Sequence, residues 1–136
     1  MTTDANKAVL RRYWEQALNG RDLTLLDELF APDFVAHGDS SQTLDDFRRV
    51  IAIIYSAFPD IRESIEDLIA EGDKAVVRFT ATGTPTGEFM GLAPTGRGIQ
   101  ASGISIFRLA GGKIVERWSV FDELGMMRQL GALPSS

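Results

Sequence analysis

The periodicity of the apolar residues changes once along this chain, and that change limits the folds open to it. Up to Phe58 the apolar residues recur three or four residues apart, as on one side of a helix. From Ile61 onward they alternate with polar residues, as in a strand with one buried face. Helices followed by consecutive strands are typical of α+β folds, in which the helices cover one face of an antiparallel sheet.

Three helices are predicted in the first half of the chain. The first runs from Ala5 to Asn19. The second is a short helix over Leu23 to Phe30, which Pro32 terminates because proline cannot continue the hydrogen-bond ladder. The third begins after Thr43 and ends before Pro59, with an apolar face formed by Leu44, Phe47, Ile51, Ile54, Tyr55 and Phe58.

Two hairpins and a final short helix are predicted in the second half. The first hairpin spans Ile61 to Thr82 around a turn at 71–73, with Ile61, Ile65 and Ile69 alternating with polar positions. The second joins Ile99–Leu109 to Ile114–Phe121, and a helix follows over Asp122 to Leu130. Between the hairpins, residues 83–98 include five glycines and two prolines, too many for a regular element, and we expect a lid over a pocket.

Charge and length exclude several classes of function. A chain of 136 residues predicts one domain over residues 1–136, large enough to form a core. The formal charge of −5, with basic residues scattered among acidic ones, argues against a nucleic-acid partner. No stretch approaches the roughly 18 apolar residues of a membrane span, and the N-terminus lacks the features of a secretory leader. The sequence predicts a cytoplasmic protein.

Cysteine and histidine usage predicts that no metal or cofactor is needed. The chain has no cysteine and one histidine, His37, so neither a disulfide nor a thiolate or imidazole metal site can form. Glycine-rich motifs that bind dinucleotides or phosphates are also absent.

The strands of the second hairpin carry apolar residues on both faces, at 104–107 and at 120–121. One face packs on the helices, and the other needs a cover of its own. A second copy of the chain is the simplest cover, and a sheet that curls on itself is the alternative. We therefore predict a homodimer formed through the outer face of the sheet.

Four segments together resemble a known family. They are the residues after the second helix, the glycine-rich loop, the last strand and the end of the chain, namely Phe34–Gly38, Gly87–Arg97, Gly112–Trp118 and Met127–Gly131. Over nearly the whole chain, these segments resemble the SnoaL-like polyketide cyclases, which have the nuclear transport factor two-like fold. The resemblance implies a cone-shaped α+β domain, with three to four helices on a curved antiparallel sheet that encloses a pocket.

The resemblance also implies an activity. Family cyclases close a ring by an intramolecular aldol reaction on a bulky carbonyl compound in an apolar pocket, with a carboxylate that moves the proton and no cofactor. Aligned from the turn at 112–114, the family's catalytic aspartate corresponds to Ser119, and an assisting histidine corresponds to Ser105. A serine hydroxyl is not a general base on its own, so the usual catalytic groups are missing at both positions.

Two other residues are candidates for proton transfer. Asp122 follows the last strand, where an apolar wall would favour its neutral form, although an aspartate at that junction also caps a helix. His37 lies in a segment that the resemblance brings to the pocket mouth, where an imidazole can exchange a proton or orient a substrate oxygen. The alternative interpretation is that His37 forms only an ordinary hydrogen bond to the backbone.

A larger set is predicted to line the pocket. Most are aromatic or apolar residues that form either core or cavity wall in a fold where the two are contiguous. Arg78 is a candidate to orient a carbonyl, with pairing to a carboxylate across the strand as its alternative. The full set of predicted substrate-binding residues is Trp118, Tyr55, Trp14, Tyr13, Phe34, Met90, Arg78, Ser105 and Ser119.

Two functions remain open from the sequence. The first is cofactor-free proton transfer on an apolar carbonyl compound, by aldol cyclisation or isomerisation; Asp122 and His37 favour it. The second is a small-molecule binding protein without turnover; Ser105 and Ser119 favour that one. An epoxide hydrolase of the same fold would need aspartates on both sides of an arginine, which the strand around Arg78 lacks.

Overall fold

The computed structural model describes residues 2–38 and 40–131; the other residues of the predicted domain, 1, 39 and 132–136, lie outside the described part. Within it the chain forms four α-helices and five strands. The helices are α1 (Thr3–Arg12), α2 (Leu26–Leu29), α3 (Leu44–Ala57) and α4 (Glu123–Gln129). The strands are β1 (Phe30–His37), β2 (Arg62–Glu71), β3 (Lys74–Gly83), β4 (Ile99–Ala110) and β5 (Lys113–Phe121). A π-helical segment (Tyr13–Leu18) continues α1, and a 3₁₀ turn (Leu23–Leu25) precedes α2.

The predicted α+β fold is confirmed, with helices on one face of a curved, open sheet of strand order β1-β5-β4-β3-β2. Both predicted hairpins form, and residues 84–98 between them are irregular. The third helix begins where expected, because Thr43 accepts a hydrogen bond from the Asp46 backbone N–H while Asp46 accepts one from Thr43.

The first strand is a feature that the sequence analysis did not predict. The helix predicted over Leu23–Phe30 is a 3₁₀ turn followed by one turn of α-helix, and β1 then runs through Pro32. A proline is tolerated there because β1 lies at the edge of the sheet, where one row of N–H groups has no partner strand. β1 pairs in parallel with β5, so the sheet is mixed rather than wholly antiparallel.

Two β-bulges decide which side chains face the helices. On β2 the register shifts between Ile65 and Asp67, so that Glu63 and Ile65 face inward while Ile69 is exposed. On β5 the register shifts near Val115, where Ile114 pairs with Leu109 but the next pair is formed by residues 116 and 108. The inward positions after this bulge are Arg117, Ser119 and Phe121.

The core lies between the inner face of the sheet and the first helix. Phe107 of β4 is fully buried, and its ring contacts those of Tyr13 and Trp14 at centroid distances of 6.4 and 5.6 Å. Apolar packing is concentrated at this end of the sheet, around Phe30 and Phe47. Towards the other end, a smaller apolar cluster around Phe58 and Ala101 lies beside open volume between the helices and the sheet.

Candidate functional site

Two cavities adjoin each other between α3 and the inner face of the sheet. The larger has a volume of about 600 Å³, within the range of small-molecule sites, and apolar walls from Phe58, Phe79, Ile99 and Phe121. The smaller has a volume of about 110 Å³ and lies against the π-helical segment. Six residues line both cavities and mark their junction: Gln42, Val50, Ile54, Ile61, Glu63 and Arg117.

Glu63 is the carboxylate at this junction. Its side chain projects from β2 into the apolar interior and accepts a hydrogen bond from Trp14 Nε1 at 3.3 Å. Burial raises the pKa of Glu63 to about 6, against smaller opposing effects of the Arg117 charge and the Trp14 hydrogen bond. A carboxyl group with this pKa is present in both protonation states near neutral pH, as a general acid or base requires.

The π-helical segment fixes the position of Glu63. Asn19, which follows this segment, donates to the Glu63 backbone carbonyl at 2.7 Å and accepts from the Glu63 N–H at 2.9 Å. The same segment aims the Trp14 indole at the carboxylate. Segments of π-helix are rare and are frequent at functional sites. Glu63 is therefore anchored through both its backbone and its side chain.

Arg117 faces the same junction from β5. Its guanidinium lies over the Phe47 ring at 5.2 Å from the centroid. Among residues 2–38 and 40–131 it forms no ion pair, and its nitrogens stay more than 4.0 Å from the Glu63 oxygens. The two opposite charges line one cavity without contacting each other.

Ser105 and Ser119 face each other across β4 and β5. Their hydroxyl oxygens are 2.8 Å apart, Ser105 is fully buried, and Ser119 lines the larger cavity. One hydroxyl donates to the other, and among the described residues neither has a hydrogen-bond partner that would activate it as a base. At these two positions the cavity wall carries a neutral hydrogen-bonded pair.

His37 lies at the rim of the larger cavity. Its ring stacks on Trp118 at a centroid distance of 5.0 Å, and Nε2 lies 2.8 Å from Glu116 Oε2. Glu116 also accepts a hydrogen bond from Arg108, and these two partners lower the pKa of its carboxyl group. The imidazole is thus held at the cavity mouth by groups on the outer side of the sheet.

Asp122 lies away from both cavities. Its Oδ1 accepts a hydrogen bond from the Gly125 N–H at 2.9 Å, which caps α4. The residue lines a shallow depression on the outer face of the sheet, together with Arg78. Asp122 and His37 do not converge on one enclosed volume, and the geometry favours the capping role that the sequence left open.

Substitutions of Asp122 are expected to report on the cap alone. Asp122→Asn should leave the melting temperature and any turnover almost unchanged, since asparagine caps helices as well as aspartate does. Asp122→Ala should lose typically ~1 kcal/mol of stability, measured by urea unfolding. A stable Asp122→Asn protein with strongly reduced turnover would instead assign Asp122 a chemical role.

The other predicted pocket residues divide between cavity, core and outer face. Tyr13, Trp14 and Tyr55 line the smaller cavity, and Met90, on the 84–98 segment, lines the larger. Phe34 is a core residue packed on Phe30 and Phe47.

Two predicted positions are corrected by the structure. Trp118 lies on the outer face because the bulge near Val115 inverts the alternation along β5. Arg78 is also on the outer face, where it pairs with Asp67 at 2.6 Å, the alternative that the sequence allowed.

Glu63 and Arg117 were missed by the sequence analysis. For Glu63 a signal exists: it lies two residues from both Ile61 and Ile65, so strict alternation already places a carboxylate on the apolar face of β2. For Arg117 there is no such signal, because its inward direction depends on the bulge.

The described residues contain no group of three or more His, Asp or Glu side chains arranged to hold a metal ion. In the same part of the chain, none of the helices combines the length and apolar character needed to cross a membrane.

These features define a class of protein: a nuclear transport factor two-like α+β domain with a cavity between its helices and its sheet. A family model described as SnoaL-like polyketide cyclase matches residues 8–130. The chain belongs to the SnoaL-like polyketide cyclase family. A search of curated proteins finds no match.

Solved structures agree with this assignment. AclR from Streptomyces galilaeus, described as a candidate hydroxylase, is 30% identical with a TM-score of 0.91, covering 98% of this chain and 89% of its own. IdmH from Streptomyces antibioticus, described as a candidate polyketide cyclase, is 32% identical with a TM-score of 0.84, covering 93% and 98%. TsrD from Streptomyces laurentii is 29% identical with a TM-score of 0.89, covering 98% and 99%.

Proposed function

We propose that this protein binds a bulky apolar carbonyl compound in the larger cavity and catalyses cofactor-free proton transfer on it, with Glu63 as the acid and base. The observation that carries the proposal is the Glu63 carboxylate, which is half-buried at the junction of two cavities and whose pKa desolvation raises to about 6. Membership of a cyclase family supports the substrate class.

The proposed reaction begins at a carbon next to the substrate carbonyl. Ionised Glu63 removes a proton from that carbon, and the C–H electron pair forms an enolate. In an aldol cyclisation the enolate carbon bonds to a second carbonyl carbon of the same molecule, and protonated Glu63 returns the proton to the new alkoxide oxygen. In an isomerisation Glu63 returns it to a different carbon. The carboxyl group ends in its starting state in both cases.

His37 and Met90 complete the site at its mouth. Both line the larger cavity, and Met90 lies on the irregular 84–98 segment. Phe89 of that segment packs edge-on against Phe58 at 5.2 Å, which places the segment against the cavity wall. We propose that it closes over a bound ligand and that the His37 imidazole orients a substrate oxygen there.

The experiment that tests this function needs no knowledge of the natural substrate. A carbon acid that enters the cavity should exchange its α-protons for deuterium in D₂O. Bicyclic and tricyclic ketones such as 2-tetralone are incubated with the protein, and deuterium incorporation is followed by NMR against a buffer control. Catalysed exchange with any of them supports proton transfer, and ketones that bind without exchange would contradict it.

Ligand binding without turnover is the second candidate function. The observation that favours it is the Ser105–Ser119 pair, which occupies the positions where the resemblance implies a catalytic aspartate and an assisting histidine. A wild-type protein that binds polycyclic ketones at micromolar concentration, yet leaves their α-protons in place, would establish this function instead.

We further propose that two copies of the chain associate through the outer face of the sheet. Ile104 and Val120 pair across β4 and β5 and are 49% and 77% exposed, and Ile106 beside them is also exposed. Three neighbouring apolar side chains on one strand pair are unusual on a monomer surface. A second copy of the same face would bury them.

A charge on this face is expected to separate the two copies. Wild-type protein should sediment at twice the mass of the chain, and Val120→Asp at the mass of one chain, because a buried unpaired carboxylate opposes association. Ile53→Asp, at an exposed apolar position on α3, is the control and should remain dimeric. A wild type of single-chain mass at tens of micromolar would contradict the proposal.

A further inference from the structure

Arg117 is a charged group of the cavity to which proton transfer by Glu63 assigns no role. The walls of the larger cavity are mainly apolar, and a guanidinium among them loses hydration unless something replaces it. The stacking on Phe47 covers one face of the group and leaves its N–H donors free for hydrogen bonds.

The other basic side chains of the cavities already have protein partners. Arg21 donates to the backbone carbonyls of Leu18, Pro59 and Ile61, and its guanidinium lies over the Tyr55 ring. His37 bonds Glu116. Among the described residues that line the cavities, Arg117 differs from these two in having neither an ion pair nor a hydrogen bond to a protein acceptor, and it lines both cavities.

We infer that Arg117 selects ligands that carry an acidic oxygen, a carboxylate or a similarly acidic enol, on an apolar ring system, and that it holds this oxygen beside Glu63. The inference deepens the proposed function and rests on the same cavity. A planar guanidinium donates two parallel hydrogen bonds to such a group. During proton transfer, the same donors would stabilise the enolate oxygen.

Binding of an anion at Arg117 has a consequence for Glu63. Trp14 and Asn19 bond Glu63 directly, and the titratable or charged groups that line the smaller cavity with it are Tyr13, Arg21, Tyr55 and Arg117. In the larger cavity these groups are His37, Glu123 and again Arg117. Arg117 is the nearby charge that lowers the pKa of this carboxyl group, so an anion on Arg117 removes that effect and favours protonated Glu63. Uptake of the ligand is therefore coupled to uptake of a proton.

The net charge of the protein cannot account for a preference for acidic ligands. With a net charge of −5, the long-range field of the chain does not attract anions. A preference for an acidic ligand over its neutral ester must then come from a local contact in the cavity.

A matched pair of fluorescent probes tests the inference: anthracene-2-carboxylate and its methyl ester, titrated by fluorescence between pH 5.5 and 8. Wild type should bind the acid about 10- to 100-fold more tightly than the ester, the range for hydrogen bonds to a charged group. Affinity for the acid should rise as pH falls through about 6, while affinity for the ester stays constant.

Three variants separate the contributions of Arg117 and Glu63 to binding of the acid. Arg117→Met should lose the preference for the acid and keep its affinity for the ester. Glu63→Gln should bind the acid more tightly than wild type at pH 8 and without pH dependence. Arg62→Met carries the same charge change one residue from Glu63, on the exposed face of β2, and should behave as wild type.

Equal affinities of the wild type for the acid and the ester would overturn the inference, and so would an Arg117→Met protein that keeps the preference. Because the wild-type comparison needs no variant, the test stands even where Arg117→Met does not fold. The readout is binding alone, so a failure here is distinct from an absence of deuterium exchange, which bears on the proposed function.

Discussion

Glu63→Gln is expected to lower the rate of catalysed α-proton exchange by roughly 10²- to 10⁴-fold, the usual loss when a general acid–base group is removed. The amide has nearly the same size as the carboxyl group and can still accept the Trp14 hydrogen bond, but it cannot take up the proton. Exchange of 2-tetralone α-protons in D₂O, followed by NMR at saturating ketone, measures the effect on kcat.

The matched control is Glu66→Gln, on the same strand but exposed at the bulge. It should retain wild-type exchange and a wild-type melting temperature. If Glu63→Gln folds normally, binds the ketone and exchanges its protons at the wild-type rate, Glu63 is not the proton-transfer group.

Phe107→Ala is expected to cost about 3–5 kcal/mol of stability, the range for removing a buried aromatic side chain. The ring is fully buried and packs against Tyr13 and Trp14, so its loss leaves a cavity where the first helix meets the sheet. Because total stabilities are typically 5–15 kcal/mol, a loss of this size should bring the variant close to unfolding at room temperature. Urea denaturation followed by tryptophan fluorescence measures it.

Two further variants test whether lost core packing is the cause of the lower stability. Phe107→Leu keeps part of the volume and should lose clearly less stability than Phe107→Ala. Ile69→Ala removes an exposed apolar side chain from β2 and should change stability by at most about 0.5 kcal/mol. Equal losses for Phe107→Ala and Ile69→Ala would show that this core cluster does not dominate stability.

The sequence predicted the elements whose periodicity is strong. The third helix and both hairpins lie where the change of period after Phe58 puts them, because side-chain burial in those elements follows a regular repeat. β1 was missed because its burial does not alternate, and because Pro32 favours a break over a strand. Its pairing with β5 joins segments far apart in sequence, which no local pattern records.

The direction in which the site's side chains point was predictable only as far as the bulge in each strand. Alternation counted from Ile114 places Trp118 inside and Arg117 outside, and a single extra residue reverses both. On β2, by contrast, Glu63 precedes the bulge and shares the parity of Ile61, so its inward direction is readable from the sequence. The raised pKa of Glu63 cannot be read from the sequence, because its burial by Trp14 and the first helix depends on the assembled fold.

The measurement that tests the central claim most directly is the pH profile of kcat/KM for proton exchange in a His37→Gln variant. His37 is the other residue of the larger cavity to which the proposed function gives a role at the substrate, so its replacement leaves Glu63 as the proposed proton-transfer group. We predict activity that rises with pH through a midpoint of about 6 and then levels off, as Glu63 ionises into its basic form. A flat profile in this variant, or the same midpoint surviving in Glu63→Gln, would contradict proton transfer by Glu63.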